Sequence, residues 1–265
     1  MTSDFLARII NQKKARIAEI IQPRALNNLR EAAHGARSTL TPHAFHDALK
    51  LTAKPFNIIA EYKRASPSKG VIREDVTVED VARDYEQGGA CAMSVLTEGD
   101  FFKGSLGDLV KVKNTISLPV LRKDFTIHES QIYEAAAAGA DAVLLIVAAL
   151  TEKELSSFRR IAEQELNMDA LIEVHTREEL TRAVSAQANI IGINNRDLHS
   201  FNVTLETSLE LIKYAPKQAL MISESGLTSP DDLQGLKDAG FDAFLIGETL
   251  MRADDAKAEL KRWLQ

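Results

Sequence analysis

The stretch "AAAGADAVLLI", residues 136–146, is an alanine-rich helical run that stops at Gly139 and passes, after Asp141, into an apolar strand. Glycine just beyond a helix end adopts the left-handed backbone that closes it, and a strand buried on both faces reads as a continuous apolar run. The phrase recurs as "EQGGACAMSVL" at 86–96 and "KDAGFDAFLI" at 237–246. Five further apolar runs, "FNIIAEY" (56–62), "LPVLRKDF" (118–125), "DALIEV" (169–174), "NIIGINN" (189–195) and "QALMISES" (218–225), bring the strands to eight, with amphipathic helical sequence between them. Strand–helix alternation repeated eight times predicts an α/β fold of the (β/α)8 TIM-barrel type. A doubly wound open sheet is the weaker reading, because no glycine-rich dinucleotide fingerprint follows the first strand. Residues 1–50 precede that strand and read as an N-terminal helical extension of the same domain, so residues 1–265 are expected to form one domain.

The chain has 265 residues, 45% of them hydrophobic, with 32 Lys and Arg against 38 Asp and Glu and a formal net charge of −6. That balance offers no broad positive field for nucleic acid. The longest apolar run, "AVLLIVAAL" (142–150), is too short to span a bilayer, so no membrane partner is expected. The single cysteine, Cys91, reads as a small core residue and suits a reducing cytoplasm. Leu6, Ile9, Ile10, Ile17, Ile20 and Ile21 mark an amphipathic N-terminal helix, expected to pack on the barrel near the substrate. The polar side of its segment "INQKKARIAEI" is expected to be solvated, and His43 and His46 read as surface residues rather than metal ligands. A monomer is compatible with the sequence.

In a barrel of this type the chemistry sits where strands end and βα loops begin. The first strand ends with Glu61 and Lys63, which share one face at a period of two. The third ends with Lys123, the fifth carries Glu173, the sixth ends in Asn194, Asn195 and Arg196, and the seventh in Glu224 and Ser225. A buried unpaired carboxylate costs several kcal/mol, so three glutamates and two lysines at one rim imply mutual pairing, with pKa values driven apart as acid–base chemistry requires. After the seventh and eighth strands, Ser225 and Gly226, then Gly247 and the backbone amide of Glu248, read as a phosphate cradle.

Taken together, "IINQKKARIAEI", "IIAEYKRASPSKG" (58–70), "SVLTEGDFFKGSL" (94–106), "LPVLRKDF", "AGADAVLLIVAAL", "LIEVHT", "IGINNRDL", "SESG" and "IGETLM" resemble the indole-3-glycerol phosphate synthase family over nearly the whole chain. The resemblance implies conversion of 1-(2-carboxyphenylamino)-1-deoxyribulose 5-phosphate, a phosphorylated anthranilate, into indole-3-glycerol phosphate, CO₂ and water, with no cofactor and no metal. It implies Lys123 as general acid, Glu173 as base in the dehydration, and Lys63 in substrate binding and proton delivery. Glu61 and Glu224 match the acids that pair with the lysines, and Asn194 and Arg196 match substrate-positioning residues. Ser66, Ser225, Gly226, Gly247 and the Glu248 amide match the substrate-anchoring set; Phe125, Leu144 and Leu198 match the wall around the anthranilate ring. Two other readings compete. A phosphoribosylanthranilate isomerase-like barrel would call for a Cys/Asp pair, and a silent phosphometabolite-binding barrel would not need Lys123 and Glu173.

Overall fold

The computed structural model describes residues 5–20, 23–50, 54–198 and 200–265. Ile21 of the expected apolar stripe lies outside them. Three helices open the chain: α1 (Phe5–Ile20), α2 (Pro23–Arg37) and α3 (Ala44–Leu49). Eight parallel strands then close a barrel: β1 (Ile58–Tyr62), β2 (Ala92–Leu96), β3 (Val120–Lys123), β4 (Ala142–Ile146), β5 (Asp169–Val174), β6 (Ile190–Asn194), β7 (Leu220–Glu224) and β8 (Ala243–Ile246). The architecture is therefore the expected (β/α)8 TIM barrel with an N-terminal helical extension. One short antiparallel pair, Ala65–Ser66 with Gly70–Val71, folds the loop after β1 over the rim.

Helices follow the strands in turn: α4 (Val78–Gly88), α5 (Leu106–Thr115), α6 (Glu129–Ala137), α7 (Glu152–Arg160), α8 (Arg177–Ser185), α9 (Glu206–Leu211) and α10 (Pro230–Ala239), with α11 (Glu248–Arg252) and α12 (Ala256–Trp263) after β8. Gly89, Gly139 and Gly240 take φ of 99°, 87° and 114°. All three are left-handed, which is why each repeat carries glycine there. Thr77, Ser105, Thr151, Thr176 and Ser229 accept a backbone N–H at the next helix start, fixing where the loop after each strand ends.

Alternation along the strands sorts the core into two layers. Ile58, Ala60, Tyr62, Met93, Val95 and their equivalents face the helices. Ile59, Ala92, Leu121, Ala142, Leu171, Ile190, Ile222 and Ala243 fill the barrel interior. Two residues further along, the inward positions change character: Glu61 follows Ile59, Lys123 follows Leu121, Glu173 follows Leu171 and Glu224 follows Ile222. The apolar layer is the floor on which the charged layer rests.

Polar contacts at the opposite end of the barrel hold the extension in place. Arg37, at the end of α2, is buried and donates to the carbonyls of Ala140, Leu166, Asn167 and Thr41, with Asp141 3.6 Å away. His43 Nδ1 lies 3.0 Å from Asp169 Oδ1, so it is engaged at the start of β5. Cys91 precedes β2, its amide bonded to the carbonyl of Ile58, and burial pushes its thiol up to about 12. It lies at the end of the barrel away from Lys123. Because Arg37 satisfies four carbonyls at once, Arg37→Met is expected to lower unfolding free energy by about 3 kcal/mol, read by urea denaturation. A loss below about 1 kcal/mol would show that solvent replaces these bonds and that the anchor is weak.

Candidate active site

Of the rim residues expected from the sequence, Glu61, Lys63, Lys123, Glu173, Asn194, Arg196, Glu224 and Ser225 line one cavity of about 1360 Å³ at the C-terminal ends of the strands. Its floor is an ion-pair cluster. Lys123 Nζ stands 2.5 Å from Glu224 Oε2 and 3.2 Å from Glu173 Oε2, and Lys63 Nζ lies 2.7 Å from Glu61 Oε1. Lys63 and Glu61 thus share a face, as their spacing requires.

The cluster needs room, and two glycines supply it. A Cβ at Gly192 would overlap the Glu224 carboxylate, and one at Gly247 would overlap that of Glu61. Gly247 is therefore glycine for the sake of Glu61, in addition to its place before α11. Gly226, at φ 80°, and Ser225, at φ 65°, turn the loop after β7 in left-handed backbone, and both residues line the cavity.

Electrostatics divide the two carboxylates that share Lys123. Burial opposes the charge of Lys123, but Glu224, Glu173 and Glu61 outweigh it and hold the ammonium well above its ordinary range. Burial also raises Glu173, yet Lys123, His175 and a hydrogen bond from Asn194 reverse the effect and leave it below the usual glutamate value. Glu224 goes the other way: burial, with Glu173 and Glu61 nearby, exceeds the pull of Lys123 and pushes it up to about 7. Two acids beside one ammonium thus prefer different protonation states.

The upper wall is apolar on one side and polar on the other. Phe125, Leu144 and Leu198 line it with Phe102, whose ring centroid is 6.2 Å from that of Phe125. Opposite them, Arg196 donates to Ser68 Oγ at 3.2 Å, joining the loops after β6 and β1, and Asn194 Oδ1 accepts from the Arg196 amide at 3.0 Å. Ser66 Oγ is buried with no hydrogen-bond partner. Glu248, at the start of α11, lines the cavity with Lys69 and Arg252, its Oε1 4.0 Å from Lys69 Nζ and 3.1 Å from Arg252 Nε.

Some positions behave differently from their sequence reading. Asn195 turns away from the cavity: its Nδ2 donates to Ser223 Oγ and to the carbonyls of Glu224 and Ser225, strapping β6 to β7. The polar face of α1 is not wholly solvated. Lys13 Nζ reaches Asp124 Oδ1 at 2.5 Å, where Asp124 is buried, and Arg16 pairs with Asp100 at 2.7 Å. Phe5 and Leu6 of α1 line the cavity, and Phe5 packs on Phe101 and Phe201 at centroid distances of 5.0 and 5.2 Å. A lysine on a helix face carries no sign of which distant aspartate it meets. His175, behind Glu173, was also missed; its only signal was its place two residues after a strand-end glutamate.

Among the described residues no helix is long and apolar enough to cross a membrane. The model of the family described as "Indole-3-glycerol phosphate synthase" matches residues 6–263. A protein of that name from Chloroherpeton thalassium is 47% identical over 252 residues, 94% of this chain and 95% of that protein; one from Lachnoclostridium phytofermentans is 44% identical over 253 residues, 95% and 93%. Among solved structures, a 3-hexulose-6-phosphate synthase superposes with a TM-score of 0.63 at 14% identity, covering 79% of this chain and 100% of that one. A thiamine phosphate pyrophosphorylase from Pyrococcus furiosus gives 0.60 at 16%, covering 83% and 95%. Those two likenesses concern the barrel alone.

The raised Glu224 predicts a pH dependence of stability. Its folded value, about 7, exceeds the 4.5 of an ordinary glutamate, so between those values the folded chain binds the extra proton. Its contribution is fully present below pH 4.5 and is lost as pH rises through about 7. Wild type is therefore expected to lose stability relative to Glu224→Gln as pH is raised across that window, read by urea denaturation at fixed ionic strength. Parallel curves for the two proteins would refute the raised value.

Proposed function

The chain belongs to the indole-3-glycerol phosphate synthase family, and from that membership we propose how its rim residues divide the work of the family's reaction. The enzyme is a decarboxylating lyase of tryptophan biosynthesis: it cyclises 1-(2-carboxyphenylamino)-1-deoxyribulose 5-phosphate and releases CO₂ and water to give indole-3-glycerol phosphate. The observation that carries the division is the ammonium of Lys123 held between Glu173 and Glu224 on the cavity floor.

In cyclisation the ring carbon bearing the carboxylate attacks the ketone, and negative charge grows on the ketone oxygen. Lys123, kept protonated by its carboxylates, donates to that oxygen. Departure of CO₂ returns the electron pair to the ring. Dehydration then needs a donor to the leaving hydroxyl and an acceptor for the proton on the ring nitrogen. Glu173, held below the usual value, is ionised and serves as acceptor. Lys63, paired with Glu61, is placed to deliver the second proton and to hold substrate. Glu224 holds Lys123 in position.

Binding follows the walls. The anthranilate ring lies against Phe125, Leu144 and Leu198, while Asn194 and Arg196 position the sugar chain. The phosphate sits at Gly226, Gly247 and the Glu248 amide, on the left-handed turn after β7 and the start of α11, with Ser66 and Ser225 as further contacts to the substrate. One chain supplies this whole lining, so a monomer suffices, and the single cysteine fits a cytoplasmic setting. An isomerase-like reading finds no support in Cys91, which lies at the other end of the barrel.

The activity itself is tested by the absorbance of indole formed from the synthetic substrate. For the acid, Lys123→Arg retains charge but holds its proton above pH ~12, so turnover is expected to fall by a factor on the order of 10²–10⁴. Affinity for a non-reactive reduced substrate analogue should stay near normal. Near-normal turnover would instead mean that charge alone suffices and would move the acid role to Lys63.

A further inference from the structure

Glu173 can serve as a base only while it is an anion, yet it is almost wholly buried, and burial alone would protonate it. Its Oε2 is engaged by Lys123 at 3.2 Å. That leaves Oε1, which faces the imidazole of His175, whose Nε2 lies 3.4 Å away; the Asn194 side chain also donates to this carboxylate.

His175 is placed for this contact and for nothing in the cavity, which it does not line. Its side chain is 9% exposed, and its buried Nε2 makes no hydrogen bond; the carboxylate of Glu173, 3.4 Å away, is the charge it meets. On its other side, Nδ1 lies 3.3 Å from Glu179 Oε2 in the first turn of α8, and the same oxygen accepts the His175 backbone N–H at 2.7 Å. Glu179 stays 16% exposed and in contact with solvent. The groups thus run in a line: Glu179 at the edge, His175 behind the strand end, Glu173 at the floor of the cavity, Lys123 beyond it.

We propose that His175 is a positioning residue for the reaction: held as an imidazolium by Glu179, it clamps the outer oxygen of Glu173 and keeps that carboxylate ionised against burial. The inference rests on the assignment of Glu173 as the base. The charged groups facing the ring are Glu173 from β5, Glu179 from α8 and Glu224 from β7, with Lys123 behind Glu173. Burial disfavours the charged ring, but the hydrogen bond to Glu179 and the three carboxylates outweigh it and raise its pKa. An opposite charge at this range lowers a carboxylate by roughly one pH unit or more. Glu179, which does not line the cavity, thereby sets the pH range of a base two residues before the ring it holds.

The test is the pH profile of kcat. His175→Gln keeps an N–H donor of similar reach but cannot carry charge, so the acidic limb of kcat is expected to move up by about one pH unit, with KM changed less than ~2-fold. Glu179→Gln keeps an acceptor for the His175 backbone N–H but removes the carboxylate that holds the charged ring against Glu173, so it should shift the limb in the same direction and by less than His175→Gln does. The double variant should shift no further than His175→Gln alone. Limbs from other groups are common to all four proteins and cancel in the comparison. An unshifted limb in either single variant overturns the proposal, as does a purely additive double variant. Glu173→Gln decides the underlying assignment separately. If it retains wild-type turnover, Glu173 is not the base and the reading falls with it; if it is inactive while His175→Gln keeps the wild-type limb, only the role of His175 falls.

Discussion

An ammonium buried at the mouth of a barrel stays charged only if anions are brought to it, and the structure depends on how that is done for Lys123. Its partners come from different strands: Glu224 from β7, Glu173 from β5 and, further off, Glu61 from β1. No two of these are neighbours in sequence, so closure of the sheet in one register is what assembles them. Alternation along a strand has a period of two, and a slip of one residue in β3, β5 or β7 would turn its charge toward the helix layer occupied by Val120, Ile172 and Met221. There the charge would have no partner. The ionic cluster and the register therefore select each other, because any other pairing buries unpaired charge at a cost of several kcal/mol.

The two ends of the barrel satisfy their polar groups differently. At the N-terminal end Arg37, Asp141, Lys113, His43 and Asp169 bond one another and the nearby backbone, and these contacts tie helices to strands. At the mouth the accounting is left incomplete: Ser66 Oγ and Glu224 Oε1 are buried without a partner. Unsatisfied groups cost stability unless something arrives to satisfy them, and a phosphorylated, hydroxylated substrate carries the donors and acceptors they lack.

Most of the barrel was legible because its signals are local. Glycine after a helix, apolar runs of strand length and capping residues before the next helix each lie within about ten residues of one another, and they recur. The charged rim was legible for the same reason, since Glu61, Lys123, Glu173 and Glu224 are strand-end residues whose direction follows from alternation. What stayed hidden depends on pairing across the fold. Asn195 stands beside Asn194 in sequence, but one residue turns it from the cavity to a strap on β7. Lys13 sits in a run of basic residues with the look of a solvated face, and nothing near it names Asp124 as its partner. His175 shows its use only once α8 brings Glu179 back to it.

The contact between Lys13 and Asp124 has a consequence for how the cavity is closed. Asp124 follows Lys123 directly, and because successive side chains leave a strand end in opposing directions, it is held apart from the cluster by Thr97, Arg122 and Lys13. Burial would raise Asp124, but Arg122 and Lys13 hold it below the usual carboxylate range, so it remains an anion. Two of those three partners belong to the barrel; Lys13 belongs to α1, the helix that also brings Phe5 and Leu6 over the cavity. Docking of α1 therefore closes the apolar lip of the site and completes the charge balance around the residue next to Lys123 in one event. A cover and a catalytic strand joined through a buried ion pair cannot move independently, because opening the lip leaves Asp124 with one cation fewer in a poorly solvated place. The N-terminal extension is in this sense part of the active site's electrostatics as well as its wall.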